Sequence, residues 1–320
     1  MTAPTDTADT FSPPAPVLSY SPVVLVVPGR PVNLQVRVSA PATGTGLPVI
    51  LLSHGHGGSN NLSSLNGYAP IANLWAAAGF VVIQPTHLSS TTLRPQLGEA
   101  PGAPLFWRSR AQDMSHILDR LDEIENTVPQ LAGRIDRDKI AVAGHSLGAH
   151  TAGLLLGARI TDPDTREELS FLEPRIKTGV LLAAPGRGGD VLTGWMAGIV
   201  PFFTTTDYST MTTSALVVAG DQDDSKHFTD IGPDWHTDPY RLAPAPKTLL
   251  TLFGAEHLLG GISGYDAEET TDENPERVIA LARLTSAYLH THFQPDDHTW
   301  QAACQALTTG TDPIGRVESK

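Results

Sequence analysis

Cysteine is nearly missing from this chain of 320 residues: Cys304 stands alone, so no intrachain disulfide can form, which suits a reducing compartment. Positive charge is scarce as well. Against 34 Asp and Glu there are 21 Lys and Arg, giving a formal net charge of -13 and a sequence pI near 5.3. Such a chain repels duplexes and anionic bilayers on average, so nucleic acid and acidic lipid are not expected partners, and a neutral or weakly polar small molecule is. No apolar run approaches the ~18 residues that a membrane-crossing helix requires. Residues 1–16 (MTAPTDTADTFSPPAP) lack the basic and apolar regions of a secretory signal. They read as a disordered, mobile tail, and with the lone cysteine they give the expectation of a cytoplasmic protein. No fixed-period repeat occurs, so a solenoid is not expected.

What is present is an ordinary folding composition. Hydrophobic residues make up 40% and charged residues 17%, with a mean hydropathy of -0.09, which is too apolar for a disordered chain. Val23–Val27 and Val32–Val38, split by Pro28-Gly29-Arg30-Pro31, predict an opening hairpin. Pro48–Leu52, Phe80–Gln84, Lys139–Ala143, Gly179–Ala184, Ala215–Ala219 and Thr248–Phe253 predict further strands. Tyr68–Ala78, Leu147–Gly157 and Arg277–His290 predict helices. Between them, apolar positions 107, 111, 114, 117/118 and 121 step by three or four and predict another, whose opposite face, with Arg110, Asp113 and Asp119, is expected to be wet.

Continuous apolar strands alternating with helices predict an α/β fold with a mostly parallel central sheet and helices on both faces. The predicted domain covers residues 17–295, with 296–320 as a C-terminal extension. Residues 185–213 interrupt the alternation with Trp195, Phe202, Phe203 and Tyr208, and predict a small cap over a pocket. Trp195, Phe202, Phe203 and Trp235 are the candidate pocket residues.

Gly144-His145-Ser146-Leu147-Gly148 falls between a predicted strand and a predicted helix, the setting that gives G-x-S-x-G chemical meaning. A strand turning sharply into a helix pushes the serine into the open, and the glycines relieve the crowding. A serine hydroxyl is a weak nucleophile and needs a base. His257 follows the last predicted strand, where the chain order serine, acid, histidine puts the base. The acid that must hold the far ring nitrogen should follow Ala215–Ala219, where Gly220-Asp221-Gln222-Asp223-Asp224 offers three carboxylates. Asp190, after the preceding strand, is a further option.

Two backbone N–H groups must meet the oxyanion formed on attack. Leu147, after the nucleophile, is one candidate donor; the second should come from Ser53-His54-Gly55-His56-Gly57-Gly58, with His56 first and Gly57 next. His54 and His56 lack a third ligand at metal spacing, and Asp221, Asp223, Asp224, Asp230 and Asp234 do not fit an EF-hand loop, so neither metal nor other cofactor is expected. His87, His145 and His150 read as hydrogen-bonded structural histidines. Trp235-His236-Thr237-Asp238-Pro239-Tyr240 either supports the acid loop or lines the pocket.

SHGHGG, PTHLSS, RAQDMSHILDRL, GHSLGAH, then an Asp and GAEH, resembles over residues 48–292 the serine esterase branch of the α/β-hydrolases. That branch holds platelet-activating-factor acetylhydrolases, chlorophyllase-like and cutinase-like polyester hydrolases, and predicted dienelactone hydrolases. The resemblance implies the α/β-hydrolase fold and an acyl-enzyme mechanism on carboxylic esters. Related hydrolases often carry the acid three residues after a glycine such as Gly220, which selects Asp223. The chain departs from dienelactone hydrolases, which use cysteine. It departs also from the acetylhydrolases, whose acid follows the strand that here continues as Ala184-Pro185-Gly186. The expected substrate is a small ester of apolar character. Lactone or amide cleavage by the same residues, and ligand binding without catalysis, are the alternatives.

Overall fold

In the computed structural model, residues 15–309 and 312–320 are described. The expected tail therefore lies outside the described residues, apart from its last two. The opening hairpin forms, with its first strand displaced toward the N-terminus and its second toward the C-terminus, both away from the turn: β1 (Val17–Leu25) pairs antiparallel with β2 (Leu34–Pro41). In chain order there follow β3 (Leu47–Ser53), β4 (Val81–Pro85), β5 (Ile135–His145), β6 (Arg159–Thr161), β7 (Glu168–Ser170), β8 (Ile176–Leu182), β9 (Thr206–Asp207), β10 (Ala215–Gly220), β11 (Lys247–Leu252) and β12 (Gly315–Ser319). The main sheet runs β1-β2-β4-β3-β5-β8-β10-β11-β12, and β6, β7 and β9 form a small second sheet. From β4 to β11 all neighbours in the main sheet are parallel; the pairs at both edges are antiparallel. The protein is thus an α/β protein with a large, mostly parallel central sheet.

The helices are α1 (Ala69–Ala77), α2 (Arg94–Leu97), α3 (Trp107–Leu118), α4 (Leu121–Thr127), α5 (Leu147–Leu155), α6 (Asp238–Leu242), α7 (Pro275–Phe293) and α8 (Thr299–Thr309). They cover both faces of the sheet, which is why its central strands are mostly apolar on both sides, as in β3 and β10, where every residue is buried. Val49, Leu51, Val142, Leu181 and Val217 pack on one side with α3 and α5; their sequence neighbours Ile50, Leu52, Ala143, Leu182 and Val218 pack on the other with α1 and α7. Each fully buried Val, Leu or Ile side chain contributes about 1.5–3 kcal/mol.

Two expectations are corrected. Arg110 and Asp113 do not lie on a wet face of α3: both are buried, because polar groups of distant loops reach them, whereas Asp119 does stay partly exposed beside Arg175. Residues 296–320 are not an appendage. Trp300 of α8 packs edge-on against Tyr288 of α7 at 5.6 Å, and β12 adds a strand to the main sheet beside β11. Its sequence is polar because an edge strand is half wet.

Candidate active site

The C-terminal ends of β3, β5, β10 and β11 bring four loops together, the end of an open α/β sheet where ligand sites gather. At the end of β5 the chain turns directly into α5, and Ser146 occupies the bend with φ 54° and ψ -121°. A non-glycine residue there is strained and persists only where its surroundings over-determine it. The Ser146 N–H donates to the Leu182 carbonyl at 3.0 Å, and its own carbonyl accepts from the Ala149 N–H at 2.9 Å. Glycine is required on both sides. A Cβ on Gly144 would stand 2.1 Å from the Gly148 carbonyl oxygen, and one on Gly148 would stand 2.0 Å from the Ser53 carbonyl oxygen.

The Ser146 hydroxyl meets His257. Its Oγ lies 3.0 Å from His257 Nε2, and His257 Nδ1 lies 2.7 Å from Asp223 Oδ2. With Nδ1–H donating to the carboxylate, Nε2 is free to accept the hydroxyl proton. Of the other acids weighed from the sequence, Asp221 accepts the Gly254 N–H at 2.7 Å, Asp224 pairs with Lys226 at 2.8 Å, and Asp190 is exposed on a separate turn. Asp230 accepts from Thr193 Oγ1, and Asp234 pairs with Arg241, so these carboxylates do not converge.

Asp223 is buried, and its carboxylate takes more than His257. Ser225 Oγ donates to Oδ1 at 2.9 Å, and His236 Nε2 lies 3.0 Å from Oδ2. Burial alone would raise the Asp223 carboxyl, but the charges and hydrogen bonds of His257 and His236 outweigh it and hold the group far below the usual carboxylate range. For His257, burial lowers the imidazole, and the charge and hydrogen bond of Asp223, helped by the charge of Asp272, more than reverse this, so its pKa is raised.

On the other side of Ser146, the loop after β3 is fixed peptide by peptide. The His54 ring Nδ1 donates to the Gly55 carbonyl at 2.6 Å, and its Nε2 accepts the His87 N–H at 3.2 Å. Because N–H and C=O point oppositely across a trans peptide, anchoring the Gly55 carbonyl fixes the direction of the His56 N–H. The Gly55 N–H donates to Tyr68 Oη at 3.0 Å. Tyr68 in turn donates to His145 Nδ1 at 2.7 Å, and His145 Nε2–H holds the His257 carbonyl at 2.7 Å. One hydrogen-bonded chain therefore links the glycine loop, the residue before Ser146 and the segment carrying His257.

Beneath the loop, the Arg110 guanidinium donates to the His54 carbonyl and to the hydroxyls of Ser89, Ser53 and Thr151. Asp113 is shared by Arg30 Nε and His87 Nδ1, each at 2.9 Å. Burial pulls the His54 and His87 pKa values well down and the charge of Arg110 adds to this, so both rings are neutral. His56 falls to about 4 through burial, then Arg110 and Arg94.

The Ser146 hydroxyl opens into a cavity of about 130 Å³ lined by His56, Leu105, Leu147, Val200, Phe203, His227, Phe228 and His257. Leu147 heads α5, and both residues expected to supply backbone donors lie in this wall. Of the four candidate pocket residues, only Phe203 is in it. Trp195 is 74% exposed on a surface turn. Phe202 turns away to stack on Trp107 at 5.5 Å and lean on His150 at 5.4 Å. Trp235 is buried behind Phe228 at 5.7 Å, its Nε1 donating to the Arg187 carbonyl at 2.8 Å. Thus Trp235 and His236 support the wall and the acid loop. Leu105, Val200, His227 and Phe228 come from unrelated loops and carry no local signal; only the count of aromatics in 185–213 hinted at one of these loops.

His87, His145 and His150 are hydrogen-bonded structural histidines; His150 Nε2 meets Thr206 Oγ1 at 2.9 Å. Asp223, His236 and His257 converge in a set whose composition suits a metal. Their spacing does not: Oδ2 lies 2.7 and 3.0 Å from the two ring nitrogens. These are direct hydrogen-bond distances, whereas ligands around a tetrahedral zinc ion stand about 3.3 Å apart. A larger apolar groove of about 520 Å³ between α1 and α7 shares no residue with the Ser146 cavity. Among the described residues no helix is long and apolar enough to cross a membrane. No protein-family model and no curated protein matches the chain.

Proposed function

We propose that the protein is a serine hydrolase of the α/β-hydrolase fold that cleaves small carboxylic esters through an acyl-enzyme. The observation that carries this reading is the unbroken line from Ser146 Oγ to His257 Nε2 at 3.0 Å and from His257 Nδ1 to Asp223 Oδ2 at 2.7 Å. His257 takes the Ser146 proton as the hydroxyl attacks the ester carbonyl, and Asp223 stabilises the imidazolium that results. The N–H groups of Leu147 and His56 receive the oxyanion. His257 then protonates the leaving alcohol and activates the water that releases the acid. Leu105, Val200, Phe203 and Phe228 make the cavity apolar, which favours an uncharged acyl or alcohol group.

The test is hydrolysis of p-nitrophenyl acetate and butyrate by wild type and by Ser146→Ala. Turnover is expected to fall by about 10⁴-fold or more; equal rates overturn the reading. A fluorophosphonate probe should label Ser146 in the wild type and leave the variant unlabelled. Tight binding of an ester without turnover or labelling overturns catalysis in favour of ligand binding.

A further inference from the structure

The triad acid serves two imidazoles, and the second is fully enclosed. His236 is 1% exposed, and each of its ring nitrogens faces oxygen. Nδ1 lies 2.7 Å from the Ala184 carbonyl, which only accepts, so Nδ1 carries a hydrogen. Nε2 lies 3.0 Å from Asp223 Oδ2 and 2.9 Å from Ser225 Oγ. Ser225 has a single hydroxyl hydrogen, and Asp223 Oδ1 at 2.9 Å takes it. The contact between His236 Nε2 and the carboxylate then lacks a proton unless Nε2 carries one too.

From this hydrogen-bond count, and resting on the triad reading above, we infer that His236 is a positioning residue: a buried imidazolium that shares Asp223 with His257 and thereby sets the proton affinity of the catalytic base. Two cations on one carboxylate oppose each other. His236 and His257 stand with ring centroids 5.7 Å apart, so the charge on His236 makes protonation of His257 less favourable while its N–H holds the carboxylate in line. The other titratable groups interacting with the pair are His145, neutral with a pKa near 3 through burial and the charge of His257, His227 at the cavity wall, also lowered chiefly by burial, and Asp272, whose charge helps to raise His257. Asp272 is itself paired with Arg277 at 2.8 Å and makes no hydrogen bond to either ring, so it does not take the place of Asp223. Free of His236, Asp223 would bind the His257 proton more tightly, and more acid-inactivated enzyme would be present near neutral pH.

The test has two parts. Imidazole ¹⁵N NMR of resting protein at neutral pH, with the His236 signals assigned by their loss in His236→Gln, reads the charge without any turnover. Protonation at both nitrogens supports the inference, and one bare nitrogen overturns it. The pH profile of kcat/KM reads the consequence: in His236→Gln, which keeps an N–H donor but no charge, the acid limb is expected to move up by about one pH unit. A loss of rate with an unmoved limb means that His236 only fills space, and overturns the tuning role. Should the wild type show no ester hydrolysis, the triad reading fails while the NMR still decides the charge on His236.

Discussion

Two groups of histidines flank Ser146, and they are organised around opposite buried charges. On one side, Asp223 is a buried anion, and the imidazole beside it, His257, has its proton affinity raised. On the other, Arg110 is a buried cation, and the imidazoles around it, His54 and His87, have theirs lowered. The same side chain thus does different work on each side. Next to the anion it can pick up a proton and give it back. Next to the cation it stays neutral with one fixed tautomer, which suits a group that must aim a peptide.

Breaking the anion side should cost most. Asp223→Asn leaves the shape but offers His257 Nδ1 no full negative charge and permits the wrong tautomer, and kcat is expected to fall about 10⁴-fold. A drop of less than tenfold in ester hydrolysis would dissolve the contrast between the two sides. On the cation side, Arg110→Met removes the donors to the His54 carbonyl and its neighbouring hydroxyls while keeping much of the volume. The His56 N–H then loses its fixed aim, and kcat should fall about 10²-fold with KM less affected. Unchanged kcat in a folded variant would show that the loop is aimed by something else.

A separate effect is on stability. His54, His87, His145 and His150 are held neutral in the folded protein, with pKa values lowered chiefly by burial, to about 3 for the last two. Below the ~6.5 of an unfolded chain, the unfolded state takes up protons that the folded state refuses. Their contribution is therefore complete above ~6.5 and is lost as pH falls, by up to about 1.4 kcal/mol per pH unit for each ring. His257 has the opposite sign: its contribution is full below ~6.5 and is lost as pH rises through its raised folded value. Urea melts between pH 8 and pH 5 should show stability dropping with acid, and a flat profile would contradict the neutral state of these four imidazoles.

The two sides also differ in how far the sequence reveals them. Ser146 is legible because five contiguous residues and the elements beside them specify it. His257 follows from chain order, and Asp223 from its offset after Gly220 together with the family resemblance. The cation side has no such signature. Arg110 sits at a polar position of an amphipathic helix, and helical period alone sends it to water. Its partners Ser53, His54, Ser89 and Thr151 lie on three other segments, so only the assembled fold reveals that it is enclosed. The cavity wall follows the same logic: aromatic content flagged Trp195, Phe202 and Trp235, but whether an aromatic ring faces a cavity, a neighbour or solvent depends on contacts far away in sequence.

Gly148 packs against Ser53 and His54 so closely that a methyl group would collide with both of their carbonyl oxygens. Those two residues begin the segment that ends in the His56 N–H, while Gly148 sits two places after Ser146. The gap across which an attacked carbonyl would have to fit is therefore gauged by a missing side chain. Enlarging that residue would act like a shim driven between two jaws, leaving every reactive group present but separating them beyond the reach of one substrate.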